Sequence, residues 1–427
     1  MIASGIPVLR EGDTYDQLET WSPAQLAEWQ LGQAISVIER AAAENPFYRD
    51  LWESAGCEID GLARWEDFQR LPIISKSDLV TAGNAWTPRG GRVAFSTRGT
   101  SGEPLVVWLD PTESEAFIVP TMRGYWWAGF RPGDTALMMS PAWHRLAAME
   151  GHAALRLGGQ AAYYWGSGGP QYAESFLAAL TRVQPEFITT TAPFLISLVR
   201  RCEDEGEDLS ELFASVRSII VVGLPLTPQL REYLSTHTGA EVFERSGTQE
   251  GAAADECGHH TAPHVHADVC HLEVLTADGA AAPPGTRGRL VVTKLEPVGD
   301  PVIRYDTGDV AELFTDPCAC GRTLPRLKIY GRPESSVVVA GKSVTAYDVR
   351  LCVDADPELV GRLVLLVRDN EGPGDTLTVA IEGQSHNAAD IEQRLNQSLG
   401  IEKVSFEWLG DVRMAWGFRQ VINRSEV

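Results

Sequence analysis

The stretch FSTRGTSGEPLVVW, residues 95–108, decides how the fold is read. An apolar run enters a turn of Thr, Ser and Gly, and a second apolar run leaves it, so two strands joined by a tight loop are expected. Small residues let a backbone come close to a ligand. The N–H groups and hydroxyls of Thr97, Gly99, Thr100, Ser101 and Gly102 can therefore cradle phosphate oxygens. No Gly-Lys-Ser/Thr follows and no helix opens on the turn, which separates it from the Walker loop. Alone, such a hairpin is more often an ordinary turn.

On either side the pattern is layered. Residues 24–43 carry apolar positions at helical spacing and stop before Asn45-Pro46; LPIISKSDLV (71–80) runs extended and then caps a helix at Ser75. Between about 90 and 330, strand-like runs such as TALMMS, EFITTT and SIIVVG alternate with helical windows such as AESFLAALTRV and PFLISLVRRCEDEG. That alternation predicts βαβ units in a large α/β domain. From about 288 the texture becomes stranded, which predicts a β-rich subdomain. Beyond YGRPESS (330–336), the runs VVVAGKSV, RLVLLVRD and LTVAIEG and the helical AADIEQRLNQSLG predict a small α+β domain. The expected division is residues 1–331 and 332–427.

Three further segments follow the hairpin in a telling order: FERSGTQEGAAADEC (243–257), IRYDTGD (303–309) and YGRPESSVVVAGKSV (330–344). Together with the hairpin they resemble the motifs of the adenylate-forming superfamily. The NPFYRDLW…LPIISKSDL pairing near the N-terminus resembles its phenylacetate-CoA ligase branch. The resemblance implies a mobile C-terminal lid domain and two half-reactions. A carboxylate and ATP give acyl-AMP and pyrophosphate with Mg²⁺; the thiol of CoA then displaces AMP. Residues 97–104 match the phosphate loop, with Glu103 at the usual Lys. Gly247, Thr248 and Gln249 would lie at the nucleotide, Glu250 would help hold Mg²⁺, and Ser246 stands where the branch has Tyr. Asp309 matches the ribose-binding carboxylate, a group suited to two adjacent hydroxyls. Arg332 would bind ribose or phosphate. Thr100, Glu250 and Arg332 are the residues the resemblance makes catalytic.

The implied substrate is a small aromatic acid, with Trp165, Phe194, Ser246 and Gly247 as candidate pocket residues and Tyr164 beside them. A Cys-x-Cys at 318–320 can converge with a third Cys and a His on a tetrahedral zinc. The resemblance points to Cys257, His264, Cys318 and Cys320, a structural set with no open position, leaving His266 and His259 as substitute histidines. Cys57, Cys202 and Cys352 read as core. A homodimer is also consistent with the family.

The match fails at one place. The family's C-terminal lysine, which bridges the acyl carboxylate and the α-phosphate, falls at Gly417, and no lysine follows Lys403. Three readings follow: Arg419 or Arg413 reaches in; the chain is a slow adenylase passing its acyl-AMP to an amine, a carrier-protein thiol or another nucleophile; or it is a binding relic. Composition bounds the rest. Lys+Arg total 36 against 58 Asp+Glu, a net charge of −22, which argues against nucleic acid and anionic membranes as partners. No run approaches the roughly 18 apolar residues of a membrane span. The acid-bearing start does not read as a signal peptide, and seven cysteines in 427 residues do not make a disulfide framework. A reducing cytoplasm is the expected compartment.

Overall fold

The computed structural model describes residues 8–87, 93–97, 104–109, 111–139, 146–166, 172–296, 299–368, 374–383, 388–410 and 420–423. The chain forms two compact units, residues 1–167 with 243–328, and residues 168–242 with 329–427. The second unit's later segment starts at Ile329. No helix among the described residues is long and apolar enough to cross a membrane. The mixed α/β architecture expected from the alternating pattern is present.

In the first unit, helix Pro23–Glu44 begins at Ser22, which forms a reciprocal capping box with Gln25. Asn45 ends it and caps the next helix, Pro46–Ser54, by accepting from the Tyr48 amide. Ser75 caps Lys76–Ala82 in the same reciprocal way with Asp78. Tyr48, Trp52, Phe68, Ile74 and Trp86 from this region pack with Leu295, Ile303 and Tyr305 in one apolar core. The N-terminal helices thus seat the 303–309 segment, and backbone bonds from Ile74 N to Arg304 O and from Asp306 N to Ile74 O complete the join. Strands Val93–Ser96 and Val106–Leu109 form the hairpin, with Phe95 opposite Val107. Thr135–Met138 and Ala161–Tyr164 are parallel, and helix Leu146–Arg156 lies between them in the chain.

The β-rich part expected from residue 288 is an antiparallel ladder of Cys270–Leu275, Gly288–Lys294 and Tyr305–Phe314. A second run of pairing sets Arg326 opposite His264, His264 opposite Asp255, and Asp255 opposite Arg245. That run places a cysteine- and histidine-rich hairpin directly beside residues 245–247.

In the second unit, Phe187–Thr191 and Ser218–Val222 are parallel strands. Thr191 caps helix Ala192–Glu205, and Gly206, at φ +71°, ends it. The C-terminal segment carries a hairpin, Ser336–Val339 with Lys342–Thr345, and a four-stranded sheet ordered 403–409, 376–382, 364–368, 421–423. Helices Ala346–Val353 and Ala388–Leu399 contribute to its core. This segment is joined to residues 168–242 by a buried ion pair, Arg200 Nη1 to Glu382 Oε2 at 2.5 Å, and by Thr227 Oγ1 donating to Asp354 at 2.7 Å.

Candidate active site

The loop of the hairpin is closed at its base by Thr97. Its amide donates to Leu105 O, and its hydroxyl accepts from the Leu105 amide, both at 2.9 Å. Gly99, Thr100, Ser101 and Gly102 lie outside the described residues, as do Gly417, Arg413 and Arg419.

Residues 247–252 turn sharply beyond strand Glu241–Gly247. Thr248 N donates to Ala252 O at 3.0 Å, and the Ala252 amide donates back to Thr248 Oγ1 at 3.3 Å. A side chain at Gly247 would place its Cβ 2.5 Å from Ala252 O, so the turn requires glycine there. Gln249 reaches out of the turn and its Nε2 donates to Ser96 O at 3.1 Å. Glu250 is buried and accepts from the Tyr305 hydroxyl at 3.2 Å. Ser246 is also buried and donates to Glu244 at 3.1 Å.

Three of the motif segments therefore meet in the first unit through side chains. Gln249 ties the turn to the phosphate hairpin, and Glu250 ties it to the 303–309 segment. Tyr305, within the 303–309 segment, positions Glu250 through its hydroxyl, a contact its place in the sequence does not signal. Arg304, in left-handed backbone at φ +49°, stays out of the site: its guanidinium pairs with Glu273 at 3.0 Å and donates to the carbonyls of Leu71 and Gln69. Asp309 is half-buried on strand Tyr305–Phe314, its amide donating to Thr307 Oγ1 at 3.1 Å, just past Gly308 at φ +74°.

The remaining candidates are spread more widely. Trp165 is partly exposed and stacks on Tyr163, with centroids 6.3 Å apart. Tyr164 accepts from the Gly151 amide at 2.7 Å. In the second unit, Phe194 is a core residue packed edge-on against Phe176. Arg332 precedes the short turn Pro333–Ser335, where Ser335 N donates back to Arg332 O at 2.8 Å.

The cysteine and histidine candidates come together. Ligand atoms of Cys257, His264, Cys318 and Cys320 all lie within 4.8 Å of one another, and only Cys320 is more than slightly exposed. His264 Nδ1 is 3.1 Å from Leu324 O, which fixes the proton there and turns Nε2 toward Cys320 Sγ, 3.4 Å away. Cys257 and Cys318 sulfurs are 3.8 Å apart. Contact with Cys257, then His264 and Arg322, holds the Cys320 thiol far down toward thiolate, while Cys257 is pushed up by the same sharing. Three soft sulfurs and one imidazole nitrogen gathered this closely are the donor types of a Cys₃His zinc site. Of the substitute histidines, His259 is exposed and His266 has both nitrogens engaged, with Arg123 at 3.1 Å and Asp255 at 2.8 Å.

His266 belongs to a buried charge network that the sequence did not reveal. Arg123 donates to Asp268 through two nitrogens at 2.9 Å, and to Asp16 at 2.7 and 2.9 Å. Asp255 in turn accepts from Arg245 Nε at 2.6 Å, beside Ser246. Burial opposes ionisation of Asp255 and Asp268, but the neighbouring arginines prevail and hold both carboxyls below the usual range. At Asp16 burial outweighs Arg123, and its pKa is raised.

Residues 97–295 match the family model described as "AMP-binding enzyme". The chain is 28% identical over 380 residues to a phenylacetate-coenzyme A ligase of Thermus thermophilus, covering 86% of this chain and 83% of that one. It is 27% identical over 388 residues to the Aromatoleum evansii enzyme of that name, at 86% and 84% coverage. By these matches the chain is similar to the adenylate-forming superfamily and to its phenylacetate-CoA ligase-like branch. Its fold is shared with 2-hydroxyisobutyryl-CoA ligase in the postadenylation state with 2-HIB-AMP, at a TM-score of 0.87 and 23% identity over 100% of this chain and 95% of that one. The same ligase in complex with 2-HIB-AMP and CoA, in the thioesterification state, gives a TM-score of 0.71. The hydrogen bonds of Gln249 and Glu250, both inside the matched region, reach Ser96 just before it and Tyr305 beyond it.

Proposed function

We propose that this protein activates a carboxylic acid with ATP as acyl-AMP and transfers the acyl group to CoA, and that the acid is aromatic. The observation that carries the proposal is the hydrogen-bonded join of the phosphate hairpin, the Glu250 turn and the 303–309 segment. In this reading the loop from Thr97 to Gly102 holds phosphate oxygens through N–H and hydroxyl donors. Glu250, kept in place by Tyr305, is the ligand for Mg²⁺, which supplies positive charge to the phosphates when bound. Asp309 accepts from the ribose hydroxyls, and Arg332, at the start of the 332–427 lid, meets ribose or phosphate. Ser246, Gly247, Trp165 and Phe194 are the proposed acid-pocket residues. Electrostatic stabilisation of charge at the α-phosphate is the main catalytic effect. Cys257, His264, Cys318 and Cys320 would hold a structural zinc, stapling the chain at two distant points. A cytoplasmic setting suits reduced thiolates of this kind.

A second reading draws on Gly417 at the lysine position: the acyl-AMP is made but passes to an amine, a carrier-protein thiol or another nucleophile. One assay separates the readings. Pyrophosphate release from ATP and Mg²⁺ is measured over a panel of aryl and small aliphatic acids, with and without CoA. Release that needs an aryl acid and rises with CoA is expected. Acid-dependent release indifferent to CoA favours the second reading, and none with any acid, despite bound ATP, overturns the enzymatic proposal.

A further inference from the structure

We propose that Arg245 and Glu150 select the acid by binding a hydroxyl group carried on its body, away from the reacting carboxylate. The inference rests on the reading of this protein as an acid-activating enzyme, and it names the substrate class: a hydroxylated acid.

Arg245 is buried on strand Glu241–Gly247, directly opposite Asp255 on strand Ala253–Asp255. Side chains alternate along a strand. Ser246 therefore points the other way, toward Glu244, and Gly247 is the next position on the face of Arg245. Arg245 Nε donates to Asp255 Oδ1 at 2.6 Å, and His266 lies 2.8 Å from the other oxygen of that carboxyl. The far end of the guanidinium differs. Nη1 and Nη2 are both buried and, among the described residues, make no hydrogen bond. Glu150 Oε1 lies 3.5 Å from Nη1, within ion-pair range, and the guanidinium carbon is 5.4 Å from the Tyr125 ring centroid. Leaving buried donors unsatisfied is unfavourable, and such groups in folded proteins nearly always have a partner. An oxygen that accepts from Nη1 and donates to Glu150 supplies one: two hydrogen bonds of about 2.8 Å close a triangle on the 3.5 Å base.

Position puts that oxygen at the acid. Glu150 is buried on helix Leu146–Arg156, and the next residue, Gly151, donates its amide to the Tyr164 hydroxyl at 2.7 Å. A Cβ at Gly151 would stand 2.5 Å from that hydroxyl, so the glycine is what lets Tyr164 close on the helix. The Arg245–Glu150 pair thus lies between two candidates for the acid pocket, Gly247 along the strand and Tyr164 beside the helix. Charge then decides the chemistry. Two carboxylates, Asp255 and Glu150, already face this one guanidinium, so a second carboxylate or a phosphate on the ligand is repelled. An ammonium would meet the Nη donors head-on. A neutral hydroxyl, which donates and accepts through one oxygen, suits both groups.

The test uses the full chain and pairs of acids that differ by one hydroxyl: benzoate, phenylacetate and phenylpropionate, each against its hydroxylated counterparts at every ring and side-chain position. Binding is read by titration calorimetry, and pyrophosphate release with ATP and Mg²⁺ is read in parallel. One hydroxylated acid should bind and react about 100-fold or more better than its partner, because a site built to hydrogen-bond a hydroxyl rejects the analogue that lacks it. Glu150→Met leaves Arg245 and Asp255 as a neutral pair and should cut that preference about tenfold or more. Arg245→Met should erase it; where that variant fails to fold, Glu150→Met decides. A merely structural role would lower both members of a pair alike and leave their ratio unchanged. A hydroxyl preference in binding without any pyrophosphate release supports this site and overturns the proposed activity. Release that is equal within every pair, or a preference untouched by Glu150→Met, overturns this inference alone and leaves a buried water as the only partner of the Arg245 Nη atoms. Failure of every acid to bind overturns both.

Discussion

Replacing Arg123 with Leu tests the buried charge network most directly. Arg123 is fully buried, and its guanidinium makes charge-assisted bonds to both Asp16 and Asp268, themselves almost inaccessible. Leucine fills part of the volume but leaves two carboxylates facing each other without a cation. Removing one partner of a buried pair costs about 3–5 kcal/mol, and the second stranded carboxylate places this case at the upper end. The pH dependence provides an internal check. Without Arg123 the folded-state pKa of Asp268 should rise above its unfolded value, and that of Asp16, already raised, should climb further. A raised folded pKa gives stability that is present at low pH and lost as pH rises, so the deficit should be largest near pH 7.5 and shrink toward pH 5.5. Urea unfolding at the two pH values, read by tryptophan fluorescence, measures it. The Asp16→Asn, Asp268→Asn, Arg123→Leu triple variant should recover part of the loss, because no charge is then stranded. A deficit below about 1 kcal/mol that is flat with pH would refute the reasoning.

Two further outcomes follow from the geometry. His271 is half-buried and stacks on Trp65, with ring centroids 4.1 Å apart, and loss of hydration, helped by Arg304, depresses its pKa to about 4. A depressed folded pKa means that stability is intact above the unfolded value near 6.5 and is lost as pH falls toward 4, a loss of about 3 kcal/mol; His271→Phe should remove that component from a stability–pH curve. Tyr305→Phe deletes the hydroxyl that donates to Glu250, so acid-dependent pyrophosphate release should fall about 5- to 10-fold, near 1 kcal/mol. Its requirement for Mg²⁺ should shift to higher concentration, and equal activity with an unchanged Mg²⁺ requirement would show that Tyr305 does not position Glu250.

The parts of this protein legible in its sequence are those specified locally. Ser75 followed by Asp78, Thr191 before Ala192-Pro193, and Gly206 after a helical run are short-range signals, and each marks a helix end in the structure. Helix Pro111–Trp127 is not legible from its periodicity. Residues 117–127 are buried on every side, so no amphipathic period appears, and Pro120 lies inside it. The active-site motifs were readable as segments; their mutual contacts were not. Gln249 and Ser96 are 153 residues apart, and Arg123 is 107 residues from Asp16 and 145 from Asp268. Nothing in the chain around Asp16 distinguishes it from a surface acid. The cysteine set could be proposed only through the resemblance; the pairing of Arg326 with His264, and of His264 with Asp255, is what brings residues near 257 and 320 together.

The arginines bear on the lysine position at Gly417. Among the described residues, Arg123, Arg200, Arg245, Arg304, Arg322, Arg326 and Arg350 are buried, and each is paired with a carboxylate. Lys294, also buried, donates to Asp300 O and lies over Phe117. In a chain of net charge −22 the interior cations are thus engaged in holding the fold. Moving one toward a phosphate would strand its carboxylate, at a cost comparable to the benefit. On the proposed reading, the charge of a bound triphosphate is met by the donors of residues 97–102, Arg98 among them, by Mg²⁺ at Glu250, and by cations outside the buried set such as Arg332. Removing the family lysine from such a site leaves less compensation in reserve than in a chain rich in lysine. Adenylation here should therefore depend unusually steeply on Mg²⁺ and weaken with added salt, which screens the half-exposed Arg332 first.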